Sequence, residues 1–367
     1  MSDLNELLAE LVAIDSINPD LIAGAAGEGP IAEFVAGWSR DRGLAVEVVG
    51  EGARLSVIAT ARGTGSGRSL LLNGHLDTVG VGGMDAPHTP QIRDGRMYGR
   101  GTYDMKGGLA AILDTAVQAA ARGLRGDVIV TLVADEEVAS IGTEAVLERV
   151  QADAAIVVEP TELQLAVAHK GFAGFEVETT GVAAHGSRPH LGVDAIAKMG
   201  PILVALKELD GRLQNGTRHP LLGTGSLHAS LIEGGQELSS YPERCLLRIE
   251  RRTVPGETLA DVEAQIAEIA PGAAVRPTFE RVPFEVAPDA PIVSAVHRHA
   301  IDVLGREPAT VGHAAWMDAA VLSAAGIPTV VFGPSGAGAH AVEEWVDLAS
   351  VERVRDVCLA VASEWCA

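Results

Sequence analysis

Four short apolar runs, residues 55–59, 70–72, 128–133 and 155–158, constrain this chain more than any other feature. Each is nearly continuous rather than alternating, the pattern of a strand covered on both faces, as in a parallel sheet. Residues 108–121, rich in Ala and Leu and free of proline, and residues 142–150 read as helices between them. Leu4, Leu7, Leu8, Leu11 and Val12 recur at helical spacing and residues 31–38 continue in that style, so the chain opens with helices. The strand, helix, strand rhythm predicts an α/β domain, in which sites collect at the carboxyl ends of the strands. The polar clusters stand at those ends: residues 73–77 after one run, Asp135, Glu136 and Glu137 after another, and Glu159 after a third.

From Phe172 the texture changes. Phe175, Val177 and Thr179 alternate, residues 194–209 read as a helix, and alternation returns around 227–231 and 246–252, which suggests a smaller α+β unit with an antiparallel sheet. After Pro283, Pro288 and Pro291 the helix and buried-strand patterns resume, with a late strand in 329–333 and a C-terminal helix. The 367 residues exceed what one core usually holds. The expected fold is therefore a discontinuous α/β domain, 1–172 and 288–367, with a mostly parallel central sheet flanked by helices. An α+β domain of residues 173–287 is inserted in it.

Forty-nine acidic residues against 28 basic ones give a net charge of −21, which repels nucleic acid and anionic membranes. Residues 1–6 carry acids where a secretory signal would carry bases, and no apolar run approaches membrane-spanning length, so a cytoplasmic location is expected. Cys245, Cys358 and Cys366 are scattered and form no CxxC pair. A metal would have to use His, Asp and Glu.

His75 and Asp77 are two apart, so on an extended backbone they point the same way; such a pair is either a hydrogen-bonded structural couple or part of a metal site. The glycine-dense segment 98–108 delivers Asp104 at the mouth of a helix, where an aspartate also serves as an ordinary cap. Asp135, Glu136 and Glu137 gather three like charges after the most apolar run, which is costly unless cations or shared protons neutralise them. On an extended backbone Glu136 and Glu137 would diverge, leaving one to ligate and one to handle protons; a solvated acidic turn is the plain alternative. Glu159 ends another apolar run and His340 follows a glycine-rich strand exit. Together two histidines and three carboxylates leave one sheet edge, which is what two cations about 3.5 to 4 Å apart require.

These motifs resemble the di-zinc amidohydrolase and exopeptidase family of acetylornithine deacetylase, succinyl-diaminopimelate desuccinylase, aminoacylase and glutamate carboxypeptidase. The resemblance spans nearly the whole chain. It rests on Gly74-His75-Leu76-Asp77-Thr78, Gly99-Arg100-Gly101 leading to Asp104-Met105-Lys106-Gly107-Gly108, Asp135-Glu136-Glu137, Glu159-Pro160-Thr161, Ala184-His185-Gly186-Ser187, and Ala339-His340 followed by Glu343 or Glu344. It implies that His75 and Glu159 hold one metal, Glu137 and His340 the other, and that Asp104 bridges both. Asp77 would orient His75, and Met105 would follow a cis peptide. A metal-bridging hydroxide would attack with Glu136 as general base, while His185 on the inserted domain steadies the oxyanion, reaching from the partner of a homodimer joined through that domain. Arg252 matches the family's lid arginine, a fork for the free carboxylate of a small-molecule substrate. The two divalent ions would be zinc, with cobalt or manganese compatible with the same donors.

The resemblance departs in two places. Ser239 stands where relatives usually place Asn, and residues 85–90 lack an aromatic side chain common there. His88 and His190 match no ligand position and are expected to be structural.

The implied reaction is hydrolysis of a small N-acyl amino acid in the style of acetylornithine deacetylase. Desuccinylation of a diaminopimelate derivative and exopeptidase action on a dipeptide share every catalytic residue with it. A non-catalytic metal-binding or regulatory protein is the rival of another class, and Glu136, a carboxylate beyond the ligand set, argues against it. A nucleotide-binding dehydrogenase is disfavoured because no strand leads into a GxGxxG turn.

Overall fold

The computed structural model describes residues 3–367, so Met1 and Ser2 of the acidic start lie outside the described residues. The chain forms two units. One runs to Val167 and adds Val286–Val311 and Met317–Ala367; the other is Ala168–Glu285 with Gly312–Trp316. The passage between them falls at residue 168, inside the strand Leu165–His169, rather than at the change of texture near Phe172. The return segment joins the second unit through one backbone and one side-chain hydrogen bond that leave no mark in the sequence. The Lys170 N–H donates to the His313 carbonyl and Trp316 Nε1 donates to the Val282 carbonyl.

In the first unit a sheet is ordered Ala45–Glu51, Arg54–Ala61, Val128–Val133, Leu70–His75, Ala154–Val157, Thr329–Val331, Leu165–His169. Its four central strands, from Val128–Val133 to Thr329–Val331, run parallel. Its rims are antiparallel. One of the four apolar runs therefore lies in an antiparallel rim strand, Arg54–Ala61, where residues 56–61 are all buried. Helices Gly29–Asp41, Gly107–Arg122 and Ile141–Leu147 pack against it. A continuous apolar run records burial on both faces, not strand direction.

Helix Gly107–Arg122 meets the sheet at its mouth. A Cβ on Gly108 would lie 2.4 Å from the Val158 carbonyl oxygen, so only glycine lets the helix start come this close to the chain leaving Ala154–Val157. Asp104, just upstream, is thereby brought beside Glu159.

A second, small sheet was not foreseen from the sequence: Gly336–Ala337, Trp345–Asp347, Arg96–Tyr98 and Gln91–Arg93, all antiparallel. Trp345 faces Tyr98, so the loop after Tyr98 and the loop before Trp345 leave the same end of it.

The second unit is an antiparallel sheet ordered Ser226–Gly234, Arg244–Thr253, Gly171–Thr180, Ala274–Arg281, with helices Ala195–Gln214 and Leu259–Ile269. Alternate residues of Gly171–Thr180 are buried, and Phe175, Val177, Met199, Leu247, Ile249 and Ile266 share its core. Thr258 and Asp261 close a capping box at the start of the second helix. Among the described residues no helix is long and apolar enough to cross a membrane.

Candidate metal centre

Parallel strands place their carboxyl ends on one edge, and here that edge collects the titratable residues. His75 is the last residue of Leu70–His75, Glu136 and Glu137 follow Val128–Val133, and Glu159 follows Ala154–Val157. His75 Nε2 stands 3.1 Å from Asp104 Oδ1 and 3.4 Å from Glu159 Oε1. His340 Nε2 stands 3.4 Å from Asp104 Oδ2 and 3.1 Å from Glu137 Oε2. Two clusters result, His75 with Asp104 and Glu159, and Asp104 with Glu137 and His340, the ligand atoms of each lying within 4.8 Å of one another. Asp104 belongs to both and turns one oxygen toward each histidine. The Asp104–Met105 peptide is cis, as the resemblance implies.

Glu136 belongs to neither cluster, though its Oε2 lies 4.0 Å from His75 Nε2. It separates from Glu137 by a turn rather than by strand alternation: Asp135 takes a left-handed φ of 70°, and the two glutamates follow in turn conformation. The Asp77 carboxylate holds that turn, accepting the N–H of Glu136 and of Glu137, each at 3.1 Å, and Asn18 Nδ2 at 2.9 Å. The acceptor nearest His75 Nδ1 is instead the backbone carbonyl of Asp77, at 2.9 Å; the carboxylate is 3.6 Å away. Asp135 points out of the cluster to Arg54 at 3.1 Å, so a guanidinium balances one of the three acids.

Burial pushes the carboxyls of Glu136 and Glu159 well above the usual range. Glu137 is raised by burial and then by the charge of Asp104. Burial alone would lower His75, but Glu159, the bond to Asp104, Glu136 and Asp77 together lift it well above its ordinary value. Bonds to Asp104 and Glu137 lift His340 to about 10. The same bonds to His340 and His75 hold Asp104 far down against the opposing effect of burial. The acids thus recruit protons on the histidines as their counter-charge. Glu137 Oε1 is buried with no hydrogen-bond partner. Imidazole nitrogens, carboxylate oxygens, an orphaned acceptor and uncompensated buried acids fit two divalent cations of the zinc class.

Several residues to which the sequence assigned no role surround the clusters. Glu344, rather than the exposed Glu343, is buried and accepts the backbone N–H of Tyr103 and of Asp104. Asp318 is buried, its carboxyl pushed to about 6 by burial despite a 2.6 Å bond from Thr143 Oγ1, and its charge adds to the elevation of Glu136 and Glu159. Asn18 bridges Asp77 and Asp135. No local pattern could have flagged Asn18 or Asp318 or chosen Glu344 over Glu343, since each acts across a long stretch of chain.

His185 and Arg252 lie in the second unit. His185 Nδ1 is 2.8 Å from Ser187 Oγ and accepts the Ser187 N–H at 3.2 Å. Arg252 Nε donates to Glu250 at 2.6 Å, with its guanidinium 4.9 Å from the centre of the Phe172 ring. The exposed Ser239 offers its carbonyl to the Gly186 N–H. His88 sits 3.7 Å from Asp15 and His190 is exposed; neither enters a cluster.

Residues 71–364 match peptidase family M20/M25/M40. The chain is 30% identical to the acetylornithine deacetylase of Erwinia tasmaniensis, an alignment covering 98% of this chain and 97% of that protein. Its fold matches the crystal structure of aminopeptidase PepT from Bacillus cereus, with a TM-score of 0.81 and 21% identity over 99% of this chain and 98% of that one. It also matches a dinuclear metal binding peptidase of the M20 family from Bacillus subtilis, with a TM-score of 0.76 and 16% identity over 99% and 97%.

Cation binding must displace the protons that His75 and His340 carry in the free site, because only neutral imidazole ligates. Below the value of about 10 reached by His340, zinc affinity should therefore rise with pH, by about tenfold per unit for each proton displaced. Titration calorimetry at pH 6 to 8 in buffers of differing ionisation enthalpy should find net proton release. Uptake with no proton release would mean that the histidines are not ligands.

Proposed function

We propose, from the premise that this chain belongs to peptidase family M20/M25/M40 and is a metallohydrolase of that family, that it deacylates a small N-acyl amino acid bearing a free carboxylate. The supporting observation is the division of labour at the sheet edge: Asp104 is shared by two ligand clusters and Glu136, its side chain only 11% exposed, stands outside both. In this reading His75 and Glu159 hold one cation, Glu137 and His340 the other, and Asp104 both. Two cations bound there, zinc or the compatible cobalt or manganese, would supply Lewis acidity and lower the pKa of a water.

Glu136 then handles the proton. Burial raises its carboxyl pKa above the ordinary carboxylate range, which favours its passing to the leaving nitrogen the proton it takes from the attacking water, so one carboxylate serves both halves of the reaction. His185 accepts the Ser187 N–H at Nδ1, which leaves Nε2 to donate to the oxyanion. Arg252 grips the substrate carboxylate. The 30% identity to an acetylornithine deacetylase over nearly the full chain favours an acetyl group among the acyl candidates.

A panel of N-acetyl and N-succinyl amino acids and dipeptides, run with and without chelator, tests the substrate class. The expected result is chelator-sensitive release from N-acetyl substrates. Arg252→Ala should raise KM for these about 10- to 100-fold and leave the corresponding carboxamides almost unchanged. Activity confined to dipeptides, or indifferent to chelators, would sink the reading, and equal loss on acids and amides would make the arginine structural.

Glu136→Gln should keep metal and fold while turnover falls by about 10² to 10⁴. If that variant lost metal while Glu137→Gln kept both ions, the two roles would be reversed.

His185 lies in the second unit and every ligand in the first, and we assign it to the site of the neighbouring subunit in a homodimer joined through that second unit. His185→Ala alone should lose about 10² to 10³ in turnover with full metal content. Mixed with Glu136→Gln after dissociation and reassembly, it should regain one working site per mixed dimer. Verified mixed dimers without activity would exclude the arrangement.

A further inference from the structure

Asp104 and His340 are the two candidate ligands that arrive on loops away from the central strand ends. We propose that Glu344 and Arg100 are positioning residues for the second cation, the one assigned to Asp104, Glu137 and His340; the proposal rests on the two-cation reading above.

His75 closes a central strand and Glu159 follows one within two residues, so the sheet itself fixes them. His340 has no such support: its backbone is left-handed, with φ 63°, and its side chain is 55% exposed. One buried ion pair helps to join its loop to that of Asp104. Glu344 Oε1 accepts the N–H of Tyr103 at 2.9 Å and of Asp104 at 3.0 Å. Glu344 Oε2 accepts the Gly101 N–H at 2.9 Å and Arg100 Nη1 at 2.7 Å. Arg100 Nη2 donates to the Gly80 carbonyl at 3.0 Å and to that of Ala341, next to His340, at 2.9 Å. The small sheet sets both loops off from one end, where the Gly99 N–H donates to the Glu344 carbonyl.

Both side chains are buried, Glu344 at 0% and Arg100 at 2% exposure. A buried carboxylate is costly unless its oxygens are occupied. This one takes four hydrogen bonds, three from the backbone that presents Asp104, so losing them loosens the loop. A planar guanidinium can serve the carboxylate and two carbonyls at once, which an ammonium on a flexible stem does not. The pair thus couples the Asp104 loop to the His340 loop and sets the gap between two ligands of the same ion.

Glu344→Gln keeps the size but turns one acceptor into a donor, so two of the four N–H groups lose their partner. Full-length protein is dialysed against buffered free zinc, bound zinc is counted by elemental analysis, and amide hydrogen exchange is followed across residues 99–106. Where the parent holds two zinc ions, the variant should hold one and regain the second only at about 10- to 100-fold higher free zinc, the scale of residues that orient ligands. Exchange across 99–106 should quicken in step. Arg100→Lys, which preserves the charge, should shift the same ion in the same direction and provides the test if Glu344→Gln does not fold. Two ions retained at the parent's zinc concentration, or equal weakening of both, would overturn the proposal. A parent that never binds two ions would instead overturn the two-cation reading, and the clamp would then stand or fall on amide exchange alone.

Discussion

Parallel pairing of Val128–Val133, Leu70–His75 and Ala154–Val157 sends three chain exits to a single edge, and the rest of the first unit answers to the charge that gathers there. Each exit carries acid or imidazole, and burial makes the acids expensive to ionise. The fold meets this in two ways. Histidines at 3.1 to 3.4 Å offset the charges that face the centre of the site. Backbone amides and guanidinium groups take up the rest: Asp77 on the amides of the acidic turn, Asp135 on Arg54, and Glu344 on the loop of Asp104.

The acids behind the site form a network of their own. Arg54 reaches Glu28 and Asp135, and Asn18 reaches Asp77 and Asp135, so the turn bearing Glu136 and Glu137 is braced from behind by a shared network. Glu28, enclosed in that network, has its carboxyl raised to about 7 by burial and by the charge of Asp77, with Arg54 pulling the other way. Such a brace fixes the turn that carries both Glu136 and Glu137, because a shift of that turn would move both side chains at once.

Much of this was legible in the sequence. The continuous apolar runs marked buried strands, the polar residues after them marked the edge, and the alternation after Phe172 marked the antiparallel unit. The spacing of His75, Asp104, Glu137, Glu159 and His340 was readable because each sits against a strand end or a glycine-rich turn. What stayed hidden depends on partners far away in the chain. Arg54–Ala61 reads like a parallel strand because helices cover both its faces, whatever its direction. The two glutamates part through a left-handed Asp135, which no side-chain pattern requires. The small sheet is built from strands of two or three residues, too short to show periodicity, and Glu344 was one of two adjacent glutamates until burial separated them.

The position of Thr329–Val331 in the sheet also has a consequence for biosynthesis. That strand lies between Ala154–Val157 and Leu165–His169, although the ribosome makes it long after both. A nascent chain that has emerged through residue 300 holds the whole of Ala168–Glu285, whose sheet can zip up on its own contacts. Its first half, meanwhile, must wait with a slot open in the middle of a buried sheet and with His340 still unmade. Vulnerability to aggregation should therefore peak in the interval before Thr329–Val331 is made and seals the slot. Any cation captured earlier would meet an incomplete set of donors.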